Sequence, residues 1–163
     1  MRYISADRKE NKMALFLRNA TIEDAQDIFN WRNYPDTRAN SFNKDEIDLE
    51  SHMLWFGKRL GRENTLMYIL MNGRKKAGNI RIDIEGTTGE ISYMIAPEAR
   101  GKGYGKKILA LLEKTLAETA AGERINQLTG SVLKNNKASC KCFLANDYTQ
   151  TENEDSFCFT KEI

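Results

Sequence analysis

Arg100-Gly101-Lys102-Gly103-Tyr104-Gly105 is a basic, glycine-rich stretch between two segments of different character. Before it, residues 91–95 form an apolar run that stops at Pro97, and after it residues 106–121 form a long amphipathic segment. A glycine turn between a strand and a helix is suited to bind a phosphate, because glycine allows close backbone approach and the first helical N–H groups lack partners within the helix. The stretch therefore predicts an anion site at the start of a helix.

Length and charge are those of an ordinary globular protein. The chain of 163 residues is long enough for one domain with a sizeable core. Its 25 basic and 23 acidic residues are mixed along the sequence and leave a net charge of +2, which gives no reason to expect a nucleic-acid partner. We expect one domain at residues 13–163, preceded by a polar, disordered leader at residues 1–12, with either Met1 or Met13 as the natural start.

The cysteines and the apolar runs predict a cytoplasmic protein. Three cysteines without a secretory signal are typical of a reducing compartment. Cys140 and Cys142 have poor spacing for a zinc site, so we expect them to pack in a helix and we expect no metal. No apolar run approaches the length of a membrane span, about 18 residues, so no membrane partner is expected.

Periodicity and turn residues predict a mixed α/β (α+β) fold. Thr21 begins a capping box, Asp48 precedes an apolar stripe, and Asn72-Gly73 is a strong hairpin signal. Gly122 is the expected cap of the helix at 106–121, and Pro35 is expected to end the first helix or to form the turn after it. The predicted helices begin after Thr21, near Asp48, at 106 and at 136, and the predicted strands are residues 15–17, 65–71, 77–84, 90–96, 125–133, 148–151 and 157–160. This order describes a mixed, mainly antiparallel central sheet flanked by helices.

The element order and the glycine turn together resemble the GNAT acetyltransferase superfamily over residues 13–163. The family signature, Gln/Arg-x-x-Gly-x-Gly/Ala at the start of the third helix, matches Arg100, Gly103 and Gly105. The resemblance implies that acetyl-CoA is the cosubstrate and that backbone N–H groups of the turn bind its pyrophosphate. It also implies that the preceding strand pairs with the pantetheine arm and that an N–H near Ile95 binds the thioester oxygen. The implied cofactor-binding residues here are Met94, Ile95, Ala96, Arg100, Gly101, Lys102, Gly103, Tyr104, Gly105 and Lys106.

A second part of the family pattern lies between residues 136 and 148. Asn136 is followed by Ser139 and then by the aromatic Tyr148. The resemblance implies that Asn136 and Ser139 also bind the cofactor. Asp147 replaces the usual glycine, and Phe143 stands where several family members carry a tyrosine that protonates the leaving thiolate. A phenyl ring cannot donate that proton, but a thiol with a pKa near ~8.5 leaves as a thiolate with little help.

The segment at residues 31–56 carries the prediction of the acceptor. Its pattern, Trp31-Arg32-Asn33-x-Pro35-x-x-Arg38 followed by His52 and Trp55, is similar to N-acetyltransferases of nucleotide-linked amino sugars, such as those of pseudaminic and other nonulosonic acid pathways. Related patterns occur in acetyltransferases of ribosomal-protein N-termini and of antibiotics. Arg32, Arg38 and Trp55 are the candidate substrate-binding residues, since guanidinium groups suit a diphosphate. Salt bridges for the arginines and core packing for the tryptophan are the alternative roles.

Three residues are candidates for proton transfer. Glu90 starts the strand that leads into the glycine turn, where some family members place a general base, and Ser92 shares its face and is suited to order a water. His52 is the only histidine, and its ordinary pKa suits proton transfer near neutrality. An exposed strand-end glutamate, a serine packed in the sheet and a structural histidine are the alternatives. Asp83 and Glu85 are further candidate bases.

The sequence therefore predicts a cytoplasmic, acetyl-CoA-dependent N-acetyltransferase in which a primary amine, on an amino sugar, attacks the thioester directly. A protein N-terminus, a small antibiotic or a polyamine is the alternative acceptor. A non-catalytic coenzyme A-binding module is the alternative of a different class, and Phe143 is its main support. Monomer and homodimer are both compatible with the sequence.

Overall fold

The computed structural model describes residues 15–163, which form a seven-stranded sheet with helices packed on it. The strands are β1 (Leu15–Asn19), β2 (Thr65–Asn72), β3 (Lys75–Glu85), β4 (Thr88–Ile95), β5 (Gln127–Leu133), β6 (Thr149–Glu152) and β7 (Ser156–Glu162). The helices are α1 (Ala25–Asn33), α2 (Pro35–Ala39), α3 (Leu49–Leu60), α4 (Tyr104–Ala117) and α5 (Lys137–Ala145), with 3₁₀ turns at Ile22–Asp24, Pro97–Ala99 and Gly122–Arg124. The predicted leader at residues 1–12 and the possible start at Met13 lie outside the described residues. Within the described part of the chain, no helix is both long and apolar enough to cross a bilayer.

The strand order is β1-β2-β3-β4-β5-β7-β6, and every neighbouring pair is antiparallel except β4 and β5. The predicted mixed, mainly antiparallel sheet flanked by helices is therefore confirmed. The predicted hairpin joins β2 to β3 at Asn72-Gly73, with Gly73 at φ 60° as a tight hairpin turn requires. The helix predicted near Asp48 is α3, and the Asp48 carboxylate caps it by accepting a hydrogen bond from the N–H of Ser51.

β4 and β5 pair over a short distance and then separate. Their parallel ladder consists of the pairs Thr88–Gln127, Gly89–Leu128 and Glu90–Thr129. Beyond these pairs, β4 continues beside β3 and β5 continues beside β7. Residues 91–95 and 130–133 therefore present facing strand edges that do not pair with each other, and a gap opens between them.

α4 ends earlier than the sequence analysis predicts. The expected helix covers residues 106–121 with Gly122 as its cap, but the helix spans Tyr104–Ala117 and is capped by Glu118. Gly122 instead opens a 3₁₀ turn, where a Cβ atom would lie 1.9 Å from the carbonyl oxygen of Leu116. This glycine is required by a close backbone approach and not by helix capping.

Pro35 begins a short helix that the sequence analysis does not predict. α1 ends at Asn33, as expected before a proline, and Pro35 then occupies the first turn of α2. Proline is favoured there because its fixed φ suits a helix and its missing N–H has no partner to lose. α1 and α2 carry two of the candidate acceptor-binding residues, Arg32 and Arg38.

A buried carboxylate fixes the start of α1 to the sheet. Asp24 is 1% exposed and accepts hydrogen bonds from Arg18 at 2.8 and 2.9 Å and from the N–H of Thr21 at 2.8 Å. Lys76 on β3 lies 2.8 Å from the same carboxylate. Burial alone would raise the pKa of Asp24, but the hydrogen bonds outweigh it and hold that pKa well below its ordinary value. The network joins α1, which carries Arg32, to both β1 and β3.

We predict that Asp24→Asn lowers the free energy of unfolding at pH 7 by about 3 kcal/mol, because two cations lose a shared buried partner. The matched control is Asp27→Asn, since Asp27 pairs with the same Lys76 at 2.8 Å but is 47% exposed. We expect the control to cost less than about 1 kcal/mol. Urea denaturation measures both losses, and equal losses would contradict the role of Asp24. Its contribution is expected to be present above the unfolded pKa of about 3.9 and to be lost as the pH falls through the lower folded pKa.

Candidate active site

The gap between β4 and β5 opens into a cavity of about 620 Å³. Its walls come from both strand edges, from the glycine-rich turn before α4, from α5, and from residues of α1, α3 and β3. A concave site of this size is typical of small-molecule binding. The cavity brings the turn together with two of the three candidate acceptor residues, Arg32 and Trp55.

Two left-handed glycines shape the turn. Gly101 has φ 78° and Gly103 has φ 76°, a region in which other residues are strained, and no atom lies within 4 Å of a Cβ built at either position. Gly103 directly precedes α4, so the unpaired N–H groups of the first helical turn follow it. Gly105 has a different role, because a Cβ there would lie 2.7 Å from the Sγ of Cys142 on α5. The turn thus presents backbone N–H groups at a helix N-terminus, which suits a phosphate.

Arg100 connects the turn to α2. Its guanidinium donates to the carbonyl oxygen of Ile95 at 3.4 Å and to the hydroxyl of Thr37. It also lies over the ring of Tyr34, 5.6 Å from the ring centroid. These contacts fix the position of the turn relative to α2. Arg100 also lines the cavity.

Asn136 and Ser139 form the start of α5 beside the cavity. The Asn136 side chain caps the helix by accepting a hydrogen bond from the N–H of Ser139 at 3.3 Å. The Ser139 hydroxyl lies 2.9 Å from the hydroxyl of Tyr93 on β4. Burial raises the pKa of Tyr93, so this phenol keeps its proton at neutral pH. The hydroxyl pair bridges β4 and α5.

Phe143 is a core residue as well as part of the cavity wall. It is 2% exposed, stacks on Phe159 with ring centroids 5.0 Å apart, and meets the ring of Tyr148 edge-on at the same distance. Its ring lies against Gly130 on β5, where a Cβ would approach it to 2.5 Å. The phenyl group therefore has a packing role, and Tyr93, with its ring centroid 5.9 Å away, supplies a phenol in the same wall.

Three arginines surround the ring of Trp55 in another wall of the cavity. The guanidinium carbons of Arg32, Arg59 and Arg81 lie 5.7, 5.6 and 5.1 Å from the ring centroid. Asp83 pairs with Arg59 at 2.7 Å and with Arg81 at 2.9 Å. Arg32 forms no salt bridge within residues 15–163, and its burial, together with the charge of Arg81, lowers its pKa. Three positive charges against one negative charge make this cluster suited to bind an anion.

No carboxylate lines the cavity in the part of the chain that the structure describes. The charged side chains in its walls are Arg32, Arg81 and Arg100, and the other ionisable ones are Tyr93, Tyr104 and Cys142. Asp83 pairs with two arginines of the cluster, Arg59 and Arg81, and is itself not part of the cavity lining. The cavity is therefore electropositive and disfavours a cationic ligand.

Comparison with known proteins identifies the family. Residues 14–149 match the family described as acetyltransferase (GNAT) domain. The chain belongs to the GNAT acetyltransferase family. It is therefore an enzyme that uses acetyl-CoA, and the alternative of a non-catalytic coenzyme A-binding module is set aside.

Relatives of this GNAT acetyltransferase are distant in sequence. The acetyltransferase PseH of Campylobacter jejuni is 28% identical to it over 145 residues, which cover 86% of this chain and 88% of PseH. The structure of spermidine N-acetyltransferase from Vibrio cholerae, in complex with CoA and spermine, has a TM-score of 0.79 at 15% identity and covers 91% of this chain and 95% of that one. The Salmonella typhimurium acetyltransferase that modifies the N-terminal serine of ribosomal protein L7/L12 has a TM-score of 0.77 at 16% identity, with 93% and 96% covered. At these identities, the two solved structures show a shared fold.

Most of the residues that the resemblance implied for the cofactor meet in the GNAT cavity. Its lining includes Met94, Ile95, Arg100, Gly101, Gly103, Tyr104, Gly105, Asn136 and Ser139. Ala96, Lys102 and Lys106 lie outside this lining. Ala96 is fully buried with its N–H bonded to the carbonyl oxygen of Ala77, and Lys102 borders a separate, smaller cleft. Their part in cofactor binding stays a prediction.

Of the two candidate proton-transfer residues on β4, Ser92 lines the cavity and Glu90 does not. The Ser92 hydroxyl accepts a hydrogen bond from Arg81 at 3.3 Å. Glu90 is exposed, and its neighbour across the β3–β4 ladder is Asp83. The geometry gives no support to Glu90 as a general base, because a base must reach the reacting amine directly or through one water.

Arg38 lies outside the cavity lining, unlike Arg32. It pairs with Glu46 at 3.2 Å, which is the salt-bridging role considered as its alternative. The two candidate arginines therefore differ in environment, although they lie only six residues apart in the sequence.

The lining residues that were not candidates in the sequence include Asn79, Arg81 and Tyr93. Asn79 and Arg81 occupy alternate positions of β3, followed by Asp83, so polar side chains share one face of a strand that lies inside the sheet. Polar residues at every second position of an interior strand are unusual unless that face borders a site. The sequence does show this alternation of polar residues, but the alternation indicates a site only once β3 is known to have a strand on each side.

His52 is buried on α3, outside the cavity lining. It is 3% exposed, its Nε2 donates to the carbonyl oxygen of Ala25 at 2.9 Å, and its Nδ1 is buried without a partner in the described structure. The rings of Phe29, Trp55 and Phe56 surround it, with centroids 5.6 to 5.9 Å away. Burial lowers the pKa of His52. These contacts favour the structural role, in which the neutral ring joins α3 to the start of α1.

We predict that the imidazole signals of His52 titrate with a midpoint below 6.5, the ordinary value, because burial disfavours the charged ring. NMR measures this without ambiguity, since His52 is the only histidine in the chain. The protein unfolded in urea provides the reference titration. Since the folded pKa is the lower one, the unfolded state binds the proton first, and the stability contributed by the neutral ring is lost as the pH falls below about 6.5. A midpoint above the reference would instead indicate a nearby carboxylate, as expected for a catalytic histidine.

Proposed function

We propose that this GNAT acetyltransferase transfers an acetyl group from acetyl-CoA to a primary amine on a negatively charged acceptor, and that the acceptor is a nucleotide-linked amino sugar. The cavity lining carries the proposal, because among the described residues it contains Arg32 and Arg81 but no carboxylate. Guanidinium groups bind phosphate oxygens through two parallel hydrogen bonds. The sequence pattern at residues 31–56, which resembles acetyltransferases of nucleotide-linked amino sugars, supports the same acceptor class.

The turn and the free edge of β4 are the proposed donor site. The N–H groups of residues 101–106 lie at the start of α4, where the helix dipole favours an anion such as the pyrophosphate of acetyl-CoA. Met94 and Ile95 lie on the part of β4 that has no β5 partner, so this edge is suited to bind the amides of the pantetheine arm. When bound, acetyl-CoA supplies the acetyl group as a thioester.

The transfer needs no further reactant. The amine nitrogen bonds to the acetyl carbon, the carbon–sulfur bond breaks, and the proton that the nitrogen loses ends on the sulfur of coenzyme A. The share of the protein is to hold both reactants in one cavity, which removes much of the entropic cost of a reaction between two molecules. An N–H near Ile95 is the proposed donor to the thioester oxygen.

Cationic acceptors fit this cavity less well than anionic ones. A polyamine or an aminoglycoside would place additional ammonium groups beside Arg32 and Arg81, where like charges repel. A basic protein N-terminus meets the same repulsion. The electropositive lining therefore favours the amino-sugar nucleotide over the alternative acceptors.

We predict that Arg32→Gln raises the KM for the anionic acceptor at least about tenfold, which corresponds to about 1.4 kcal/mol of lost binding, and leaves the KM for acetyl-CoA unchanged. Arg38→Gln is the matched control, since Arg38 pairs with Glu46 outside the cavity. Thiol release measures turnover with nucleoside-diphosphate-linked amino sugars, the corresponding free amino sugars, spermidine, an aminoglycoside and a peptide amine.

Turnover of nucleotide-linked amino sugars in preference to their free sugars is the expected result for the wild type. Preference for spermidine or the aminoglycoside would contradict the proposed acceptor class. Equal effects of the two arginine substitutions would contradict the role of Arg32 in binding the acceptor.

We predict that Gly103→Ala weakens acetyl-CoA binding roughly 5- to 30-fold, because a Cβ at a left-handed φ costs about 1–2 kcal/mol and favours relaxation of the turn. Gly73→Ala is the matched control, since Gly73 has φ 60° and also has no atom within 4 Å of a Cβ, but lies in the β2–β3 hairpin. Both variants are expected to lose thermal stability. Calorimetric titration with acetyl-CoA should show weaker binding for Gly103→Ala alone, and equal affinities of the two variants would argue against the turn as the pyrophosphate site.

A further inference from the structure

A buried amide without a partner lies in the wall of the cavity. Asn79 on β3 lines the cavity and is 8% exposed. Its Oδ1 atom is buried and has no hydrogen-bond partner in the described part of the chain. Folded proteins seldom leave a buried amide oxygen unpaired, because the lost hydrogen bond to water is not replaced. An unsatisfied amide in a cavity wall is therefore a candidate contact for a ligand.

The strand register places this amide beside the proposed donor site. Asn79 pairs with Met94 on β4, and residues directly opposite in an antiparallel ladder have side chains on the same face, about 5 Å apart. Met94 belongs to the segment of β4 proposed to hold the pantetheine arm. Ser92, which also lines the cavity, follows on the same face of β4 because side chains alternate along a strand. The Asn79 amide thus lies beside the strand segment on which the thioester is proposed to bind.

The charged groups around this point are almost all positive. Arg32 comes from α1, Arg59 from α3 and Arg81 from β3, and the carboxylate among them, Asp83, is shared by two of the arginines. The remaining ionisable groups that line the cavity are Tyr93 from β4, Arg100 and Tyr104 from the turn and the start of α4, and Cys142 from α5. An ammonium group in this setting is disfavoured relative to the neutral amine, since like charges repel and no lining carboxylate compensates.

We propose that the acceptor amine binds in its uncharged form and that the Asn79 amide positions it, with Oδ1 accepting one N–H while the nitrogen lone pair faces the thioester. Rotation about the Cβ–Cγ bond of Asn79, which is a soft torsion, turns Oδ1 toward the cavity. A neutral amide oxygen suits this task better than a carboxylate, because it accepts an N–H without stabilising the unreactive ammonium. The inference rests on the proposed N-acetyltransferase function. It accounts for a site in which Glu90 and His52 lie outside the cavity, because the proton is lost to water before the amine is held.

The variants Asn79→Leu, Asn79→Asp and Tyr68→Phe test this role. Tyr68→Phe is the matched control, because Tyr68 is buried on β2 and pairs with Ile80, so its side chain lies on the opposite face of the sheet from Asn79. The probes are hydroxylamine, which is uncharged at neutral pH, and methylamine, which is charged. Both are small enough to report on the amine position whatever the natural acceptor is.

Asn79→Leu is expected to lower kcat for hydroxylamine at least about tenfold, the effect of one lost hydrogen bond, with no change in the KM for acetyl-CoA. Asn79→Asp is expected to lower the KM for methylamine relative to wild type, because its carboxylate stabilises the ammonium form. Tyr68→Phe should match the wild type with both probes. Above pH 7, kcat/KM of the wild type is expected to be flat with hydroxylamine and to rise with methylamine, following the ionisation of the amine itself.

Wild-type kcat with hydroxylamine in a folded Asn79→Leu protein, verified by thermal unfolding, would overturn the inference. A rise of kcat/KM with hydroxylamine above pH 7 would also overturn it, since that rise would reveal a base on the enzyme. If the anionic acceptors are not turned over but hydroxylamine acetylation still depends on Asn79, the proposed acceptor class is wrong and the positioning role of Asn79 stands.

Discussion

The separation of β4 from β5 is the constraint on which the site depends. A parallel pair that continued beyond Glu90 and Thr129 would close the sheet and satisfy the backbone groups of residues 91–95. Here β4 is held on one side by β3, and β5 is held on its other side by β7, so each strand keeps its place while their facing edges part. The unpaired edge of β4 is available as the proposed binding surface, because strand pairing on either side of the gap holds it in place.

The two faces of β4 give the cavity two chemically different walls. One face carries Tyr93, which meets Ser139 on α5 and leads to the glycine turn, and this wall offers hydroxyls and backbone N–H groups. The other face carries Ser92, which meets Arg81 and through it the arginine cluster on Trp55. Alternation along a single strand thus separates the proposed donor wall from the electropositive wall proposed for the acceptor, and both walls border the same backbone segment.

Local signals allowed much of the fold to be predicted, together with the glycine turn that lines the cavity. Gly101 and Gly103 encode left-handed backbone in the sequence itself, and Asn72-Gly73 does the same for the hairpin. Features set by distant contacts were not predictable in this way. Gly122 reads as a helix cap, yet its actual reason is the carbonyl oxygen of Leu116, and Asn79 reads as a residue in a hairpin strand until the register places it opposite Met94. Glu90 lies outside the cavity lining for a similar reason. The point at which β4 and β5 separate is set by strand pairing across the sheet, which the sequence of β4 alone does not show.

Packing determines the position of Phe143, and a phenyl ring at this position cannot donate a proton to the leaving thiolate. The ring fills the space over Gly130 and stacks on Phe159, so it joins α5 to β5 and β7. The nearby phenol of Tyr93 retains its proton because burial raises its pKa, which makes it suited to donate a hydrogen bond to a thiolate but not to give up the proton. Because a thiol has a pKa near ~8.5, its thiolate leaves at neutral pH with no more help than such a hydrogen bond. The proposed uncharged amine and the thiol leaving group therefore make the same demand on the protein, which is to position the reactants and exclude charge without supplying strong acids or bases.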